Sequence, residues 1–339
     1  MAETNLQTVG LHTVGVIVGQ DLIGDGLYKL PFLRAMRAAL PAAKITWITT
    51  EGATVFGGML RTVTAPLIDE VVERAPIGSR FRDLFRPQAF TRRFDLLIDT
   101  RGRWQQAACS RRVAHGRFIS PAARFLFADA RPGLTYRKPA HIVDRLNDLL
   151  WLATGRHPEP LNGALALPKE VMELAAQALP SESIYVGFAP GASMDHKIWP
   201  LARFIEVAVI QEARGRRPVF LLGPTEIELQ TALADAVPGA LFPLQDERVW
   251  GAKPLTVERT IAIATRLVAA VANDSGTSHM IGAADCPLVS LFGPTSPDKL
   301  APRVSCGVIV RAQQFGSSEI TAIPIPAVVD ALEELVAWA

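Results

Sequence analysis

The chain predicts an α/β protein made of two successive doubly wound, Rossmann-like halves with mainly parallel sheets. Three observations support this. Short apolar runs recur along the chain, at 13–18, 44–49, 94–98, 184–189, 267–272 and 288–292. Each is the length of a strand buried on both faces. Helix-compatible stretches alternate with these runs, the β-α-β rhythm of a parallel sheet. Polar turns, several containing glycine, close the runs at their carboxyl ends, where such sheets place their ligands.

The length of 339 residues suits two domains better than one. Hydrophobic residues make up 49% and charged residues 20%, enough apolar material for large cores. No apolar run has the roughly 18–20 residues of a membrane span. The start, MAETNLQTVGLHTVGVIVG, lacks a basic n-region, so a cytoplasmic protein is expected. Cys109, Cys286 and Cys306 show no metal-ligand spacing and read as small buried hydrophobes. The net charge of +2 is uneven. Residues 1–165 hold 22 Lys and Arg against 14 Asp and Glu, a net of +8, and the remainder carries −6. A basic first half suits an anionic partner, or else a solvated arginine-rich surface.

In chain order, a strand at 13–18 leads through Gly19–Gly26 into a helix expected at 27–39, with Pro31 near its start. Strands follow at 44–49, 67–72 and 94–98, with a helix after Gly52. Residues 104–160 read as helix and loop, with a helix at 141–153. The Pro- and Gly-containing stretch 154–168 reads as a linker. Strands of the second half are expected at 184–189, 218–222, 240–242, 267–272, 288–292 and 307–310, before an amphipathic helix at 326–338. The expected domains are 1–160, 161–325, and a C-terminal helix at 326–339 that could pack back on the first.

Four stretches carry chemistry. In Ile23-Gly24-Asp25-Gly26, Asp25 could serve as a general base or as a helix N-cap. The stretch is neither a dinucleotide fingerprint nor a P-loop. In Ala189–Pro200, Gly191 permits close backbone approach, Ser193 offers a hydroxyl and Lys197 a charge, the ingredients of a phosphate site. The alternative is an ordinary turn with a solvated lysine. Glu226 in LGPTE could accept both ribose hydroxyls or complement the helix dipole. Finally, Asp274-Ser275-Gly276-Thr277-Ser278-His279 lies between a strand and a short helix expected at 277–284, where free N–H groups and the dipole attract anions. His279 could donate to a ligand oxygen or be structural. No G-x-S-x-G elbow accompanies these residues, which disfavours a hydrolase triad. Nor does any acidic cluster have metal-ligand spacing.

Three segments, IGDGLYKLPFLRAMRAALPAAKITWIT, PGASMDHKIWPLARFIEVA and LVAAVANDSGTSHMIGAADCPLVSLFGPTSP, resemble glycosyltransferase family 9, the ADP-heptose:lipopolysaccharide heptosyltransferases. Weaker similarity at IDEVVE, FDLLIDTRG and LLGPTE extends the resemblance over nearly the whole chain. It implies a GT-B fold, with the acceptor held by the first domain and the nucleotide-sugar by the second across a cleft. It further implies inverting, metal-independent transfer of heptose from ADP-heptose to the inner core of lipopolysaccharide at the cytoplasmic membrane face, with no cofactor. On this resemblance Asp25 matches the catalytic base, Lys197 and Ser193 the phosphate-binding positions, and Glu226 the ribose contact. Asp274, Ser275, Gly276, Thr277 and His279 match the donor loop. The chain departs from the family at Ser296, where an aspartate is usual, and at RAQQFGSSEITAI. Charge alone nominates Arg101, Arg103, Arg111, Arg112 and Arg117 for an anionic glycolipid acceptor. Alternatives are a GT-B enzyme with another nucleotide-sugar, such as a UDP-sugar transferase or epimerase, and a non-catalytic nucleotide-binding protein.

Overall fold

Strand β1 (Thr13–Val18) buries Val14, Val16, Ile17 and Val18, and this two-faced burial puts it at the centre of a sheet. The computed structural model describes residues 11–159 and 163–338, in two compact units, Met1–Leu161 and Asn162–Ala339. The first ten residues and part of the proposed linker, 160–162, lie outside the described residues.

In the first unit β1 is joined by β2 (Lys44–Thr49), β3 (Glu70–Val72), β4 (Phe94–Asp99) and β5 (His115–Ile119). They form one parallel sheet in the order β3-β2-β1-β4-β5. Val16 stands opposite Trp47 on one side and Ile98 on the other. The chain turns from one half of the sheet to the other between β1 and β4, the switch point at which open α/β sheets leave a crevice at the strands' carboxyl ends.

The first helix begins earlier than expected, spanning Ile23–Ala39. Its start is fixed by Asp25, whose carboxylate accepts from the backbone N–H of Leu22 at 3.2 Å. Gly26 is needed for packing. A Cβ there would stand 2.4 Å from Val55 Cγ2 and 2.7 Å from Leu60 Cδ1. Pro31 is therefore an interior residue of this helix and leaves the Leu27 carbonyl without its helical donor. The helix expected after Gly52 shrinks to one turn, Arg61–Thr64. Strand β5 was not expected at all. Its segment HGRFI has only two consecutive apolar residues, and Phe118 and Ile119 become fully buried through pairing with β4. A helix at Ile142–Thr154 ends on Gly155 in the left-handed conformation, φ 77°.

The second unit repeats the scheme with β6 (Tyr185–Ala189), β7 (Arg217–Phe220), β8 (Ala269–Asn273), β9 (Leu288–Phe292) and β10 (Gly307–Arg311). The order is β10-β9-β8-β6-β7, all parallel, with the switch point between β6 and β8. The strand expected at 240–242 is only an isolated bridge from Leu241 to Val219. Val186, Phe188, Trp199, Phe204, Phe220, Val271 and Leu291 form the core.

The C-terminal helix, Ile325–Trp338, belongs to this unit. The sequence allows it to pack back on the first half. Its buried stripe of Val328, Val329, Ala331, Leu332 and Leu335 instead lies in the core of the second unit, beside β8, β9 and β10. Truncating a fully buried side chain such as Leu332 to Ala costs about 2–5 kcal/mol. Cys109 and Cys286 are buried and Cys306 partly so, and burial pushes the Cys286 thiol well above its usual range.

Candidate active site

In the second unit, four predicted segments meet at the carboxyl ends of adjacent strands. The loop after β6 carries Gly191, Ser193 and Lys197, and the loop after β7 carries Glu226. The turn after β8 carries Asp274 to Thr277, and Thr295 follows β9.

Asn273, the last residue of β8 and fully buried, organises the first of these loops. Its side-chain amide donates to the carbonyl of Pro190 at 2.7 Å, and its Oδ1 accepts from the N–H of Trp199 at 3.1 Å. Trp199 is anchored in turn by its indole N–H, which donates to the Ile323 carbonyl at 3.0 Å. With both ends of the loop held, one tight turn at Asp195–Lys197 delivers the lysine inward. Lys197 Nζ donates to Asp274 Oδ2 at 2.7 Å, and Thr295 Oγ1 donates to the same oxygen at 2.7 Å. Asp274 is buried, so its charge is balanced mainly by this lysine.

The helix that follows β8 spans Gly276–Ala283, with Ser275 as N-cap in extended conformation. The Ser278 hydroxyl accepts from the Ser275 N–H at 3.4 Å and donates to the Ser275 carbonyl at 2.7 Å. Ser275 Oγ is buried and has no hydrogen-bond partner. Orphan N–H groups of the first turn, a cation held nearby and an unused hydroxyl together make an anion-binding corner. His279 is half-buried at the fourth position of this helix.

Glu226 is half-buried, and its carboxylate accepts from the Gly223 N–H at 3.0 Å and the Thr225 hydroxyl at 2.7 Å. A Cβ on Gly191 would lie 2.5 Å from Glu226 Oε1, so Gly191 leaves room for this carboxylate as well as for a ligand. Ser193 is exposed on the same loop.

In the first unit, Asp25 is half-buried in the first turn of its helix. Asp25 is not the N-cap, which is Leu22: it lies at the third helical position, and its Oδ2 reaches back to accept from the Leu22 N–H while Oδ1 accepts from the Tyr28 hydroxyl at 3.1 Å. Burial, and then the neighbouring Asp25 charge, push the Tyr28 hydroxyl well above its usual range, which keeps it a donor. Beneath them, buried Asp21 accepts from Lys29 Nζ, from Trp47 Nε1 at 2.7 Å and from Thr54 Oγ1 at 3.0 Å.

Four of the five nominated arginines are tied to their own unit. Arg101 is buried and forks onto Asp99, Nε to Oδ1 at 2.9 Å and Nη2 to Oδ2 at 3.0 Å, with further bonds to Thr50 and Ser110. Arg111 bonds the Phe127 carbonyl and Asp129, Arg112 the carbonyls of Asp83 and Arg86, and Arg117 the Ala153 carbonyl. Charge counting could not separate these from a ligand-facing arginine, because the partners of Arg111, Arg112 and Arg117 include backbone carbonyls far away in sequence. Arg103 is exposed and lines a cavity of about 570 Å³ with Arg80, Phe81 and Trp104. Motif reading also missed Asn273, Thr295 and Tyr28 as site residues. All three lie within quoted segments, and only the folded chain reveals what they hold.

Among the described residues, no group of three or more His, Cys, Asp or Glu is placed to hold a metal ion.

The sequence profile of glycosyltransferase family 9 (heptosyltransferase) matches residues 86–321. Lipopolysaccharide heptosyltransferase 1 of Escherichia coli O18:K1:H7 is 26% identical over 323 residues, covering 91% of this chain and 94% of that protein. Lipopolysaccharide heptosyltransferase 2 of Salmonella typhimurium is 33% identical over 130 residues, 37% of this chain and 35% of that one. Among solved structures, a family 9 glycosyl transferase from Veillonella parvula superposes with TM-score 0.71 at 20% identity, covering 99% of this chain and 100% of the other. An E. coli heptosyltransferase solved with ADP gives 0.67 at 21% identity, covering 95% and 99%. Two Rossmann-like units in one chain are the GT-B architecture of these neighbours. The chain therefore belongs to glycosyltransferase family 9, the heptosyltransferase family, and is a glycosyltransferase.

Proposed function

We propose that this enzyme transfers heptose from ADP-heptose to the inner core of lipopolysaccharide, with inversion at the anomeric carbon and without a metal. The observation that carries the reading is the Lys197–Asp274–Thr295 cluster beside the N-terminus of the Gly276–Ala283 helix. The relatives named as lipopolysaccharide heptosyltransferases support it, as do the neighbours solved with ADP and with ADP-2-deoxy-2-fluoro heptose.

The second unit is assigned the donor. Lys197, the N–H groups of Gly276 and Thr277, and the hydroxyls of Ser193 and Ser275 hold the diphosphate. Glu226 accepts from the ribose, and His279 donates to a donor oxygen. As the anomeric C–O bond to the diphosphate breaks, charge grows on the leaving oxygen, and these preorganised donors stabilise it. The first unit is assigned the acceptor, an anionic glycolipid. Asp25 takes the proton from the acceptor hydroxyl as that oxygen forms the new bond, and the proton leaves the step on the Asp25 carboxylate. Tyr28 orients that carboxylate. The two tasks thus fall to the two units, Met1–Leu161 and Asn162–Ala339, and the site of action is the cytoplasmic face of the membrane.

ADP release from ADP-heptose, followed with and without core acceptor, tests this directly. Acceptor-dependent release supports the reading. Preference for UDP over ADP in nucleotide titration would favour a different nucleotide-sugar, and ADP binding with no turnover would leave a binding protein.

A further inference from the structure

A buried ion pair stands one helical turn from Asp25, and neither of its members has a part in the transfer step. Asp21 is 2% exposed and Lys29 8%. Lys29 Nζ donates to Asp21 Oδ1, and Oδ2 of the same carboxylate accepts from Trp47 Nε1 and Thr54 Oγ1. The ammonium also lies 5.6 Å from the centre of the Tyr28 ring and 5.9 Å from that of Trp47. A buried pair adds little net stability, because desolvating both charges costs about what their attraction returns. What it does supply is a fixed direction between the two segments it joins.

Those segments enclose Asp25. Asp21 sits in the turn between β1 and the Ile23–Ala39 helix, where its backbone bridges to Thr54. Lys29 lies in the second turn of the helix, four residues after Asp25 and so on the same side. The pair therefore spans the first turn, with β2 as its abutment through Trp47. Two features leave that turn in need of an anchor. The N-cap, Leu22, has no polar side chain and is 62% exposed. Pro31 lacks the N–H that would tie the second turn to the third through the Leu27 carbonyl. Helical hydrogen bonding alone thus holds the start of this helix loosely.

We propose that the Asp21–Lys29 pair is a positioning element, holding the first two turns of the helix in the rotation that aims Asp25 at the acceptor hydroxyl. The inference rests on the assignment of Asp25 as base. Tyr28 shares the restraint, since its hydroxyl bonds Asp25 Oδ1 at 3.1 Å while its ring lies beside the Lys29 ammonium. A displacement of about 1 Å in such a group can cost about 10²-fold in rate.

The test is steady-state kinetics of Asp21→Asn/Lys29→Met with ADP-heptose and core acceptor. Asn keeps an oxygen for Trp47 and Thr54, Met keeps the length of the lysine stem, and no buried charge is left unpaired. We expect a melting temperature near or above the parent's, an unchanged donor KM and a kcat lower by about tenfold or more. In an Asp25→Asn background the same double change should lower kcat no further, because it acts through that carboxylate. Thr54→Val, which removes one donor and keeps the ion pair, covers the case in which the double variant misfolds, and should lower kcat by a smaller factor. Parent-like kcat in whichever of these variants folds would overturn the proposal. So would a raised donor KM at unchanged kcat, or a further loss in the Asp25→Asn background. Full turnover in Asp25→Asn alone would instead remove the base assignment and the proposal with it.

Discussion

Lys197 Nζ lies 2.7 Å from Asp274 Oδ2, so one ion pair joins the loop after β6 to the turn after β8. The pair holds a cation beside the turn that opens the Gly276–Ala283 helix. Lys197→Ala removes that cation and leaves buried Asp274 with only the Thr295 hydroxyl. We expect ADP affinity and turnover each to fall by about tenfold or more. Calorimetric titration with ADP showing parent-like affinity would take Lys197 out of the donor site.

Asp25, at the third position of its helix, accepts from the N–H of the N-cap Leu22 and from the Tyr28 hydroxyl. Asp25→Asn keeps the shape of the cap but cannot take a proton. Transfer should drop by about 10²–10⁴-fold with ADP binding nearly intact. Tyr28→Phe should lower kcat by a smaller factor. Retained turnover in Asp25→Asn, or lost ADP binding, would refute the assignment.

Gly191 and Glu226 compete for the same space. Gly191→Ala should displace the Glu226 carboxylate and weaken ADP binding about as much as Glu226→Ala does. Because both act through one carboxylate, the double variant should be no worse than either single one. Strict additivity in a binding cycle would separate the two residues.

Arg101 and Arg103 are neighbours in sequence with opposite fates. Arg101→Ala abandons Asp99, which is fully buried, and should cost about 3–5 kcal/mol of stability, visible as a lower melting temperature. Arg103→Ala should leave the melting temperature nearly unchanged and raise acceptor KM. A KM equal to the parent's would return Arg103 to a solvated surface role.

Glu333 is held down to about 2, chiefly by hydrogen bonding from Arg216, with Gln211 and Arg214 assisting. Its folded value is depressed from 4.5. The stability it contributes is therefore present above about pH 4.5 and is lost as pH falls toward 2. Glu333→Gln should destabilise the second unit by about 1–2 kcal/mol at neutral pH. The difference from the parent should shrink in urea melts between pH 4.5 and pH 3, and a pH-independent difference would deny the linkage.

Sequence by itself determined most strands of both sheets and the polar turns that gather at the carboxyl ends of β6 to β9. Apolar runs of five or six residues can be buried on both faces only in such sheets, and glycine-rich turns at strand ends have few other uses. Strand β5 was not legible, since HGRFI becomes a strand only by pairing with β4. The early start of the first helix escaped because Asp25 was read as lying before it. The C-terminal helix shows its apolar stripe in sequence, but which unit takes up that stripe is a tertiary fact. The same holds for the arginines. A guanidinium bonded to a distant carbonyl and one facing solvent look identical in composition. Only the fold decided that Arg101 braces Asp99 while Arg103 faces the surface, and that Asn273 brings Lys197 to Asp274. Local pattern determines which elements can form. Hydrogen bonds across dozens of residues decide what each functional side chain meets, and those depend on loop closures that no short window of sequence contains.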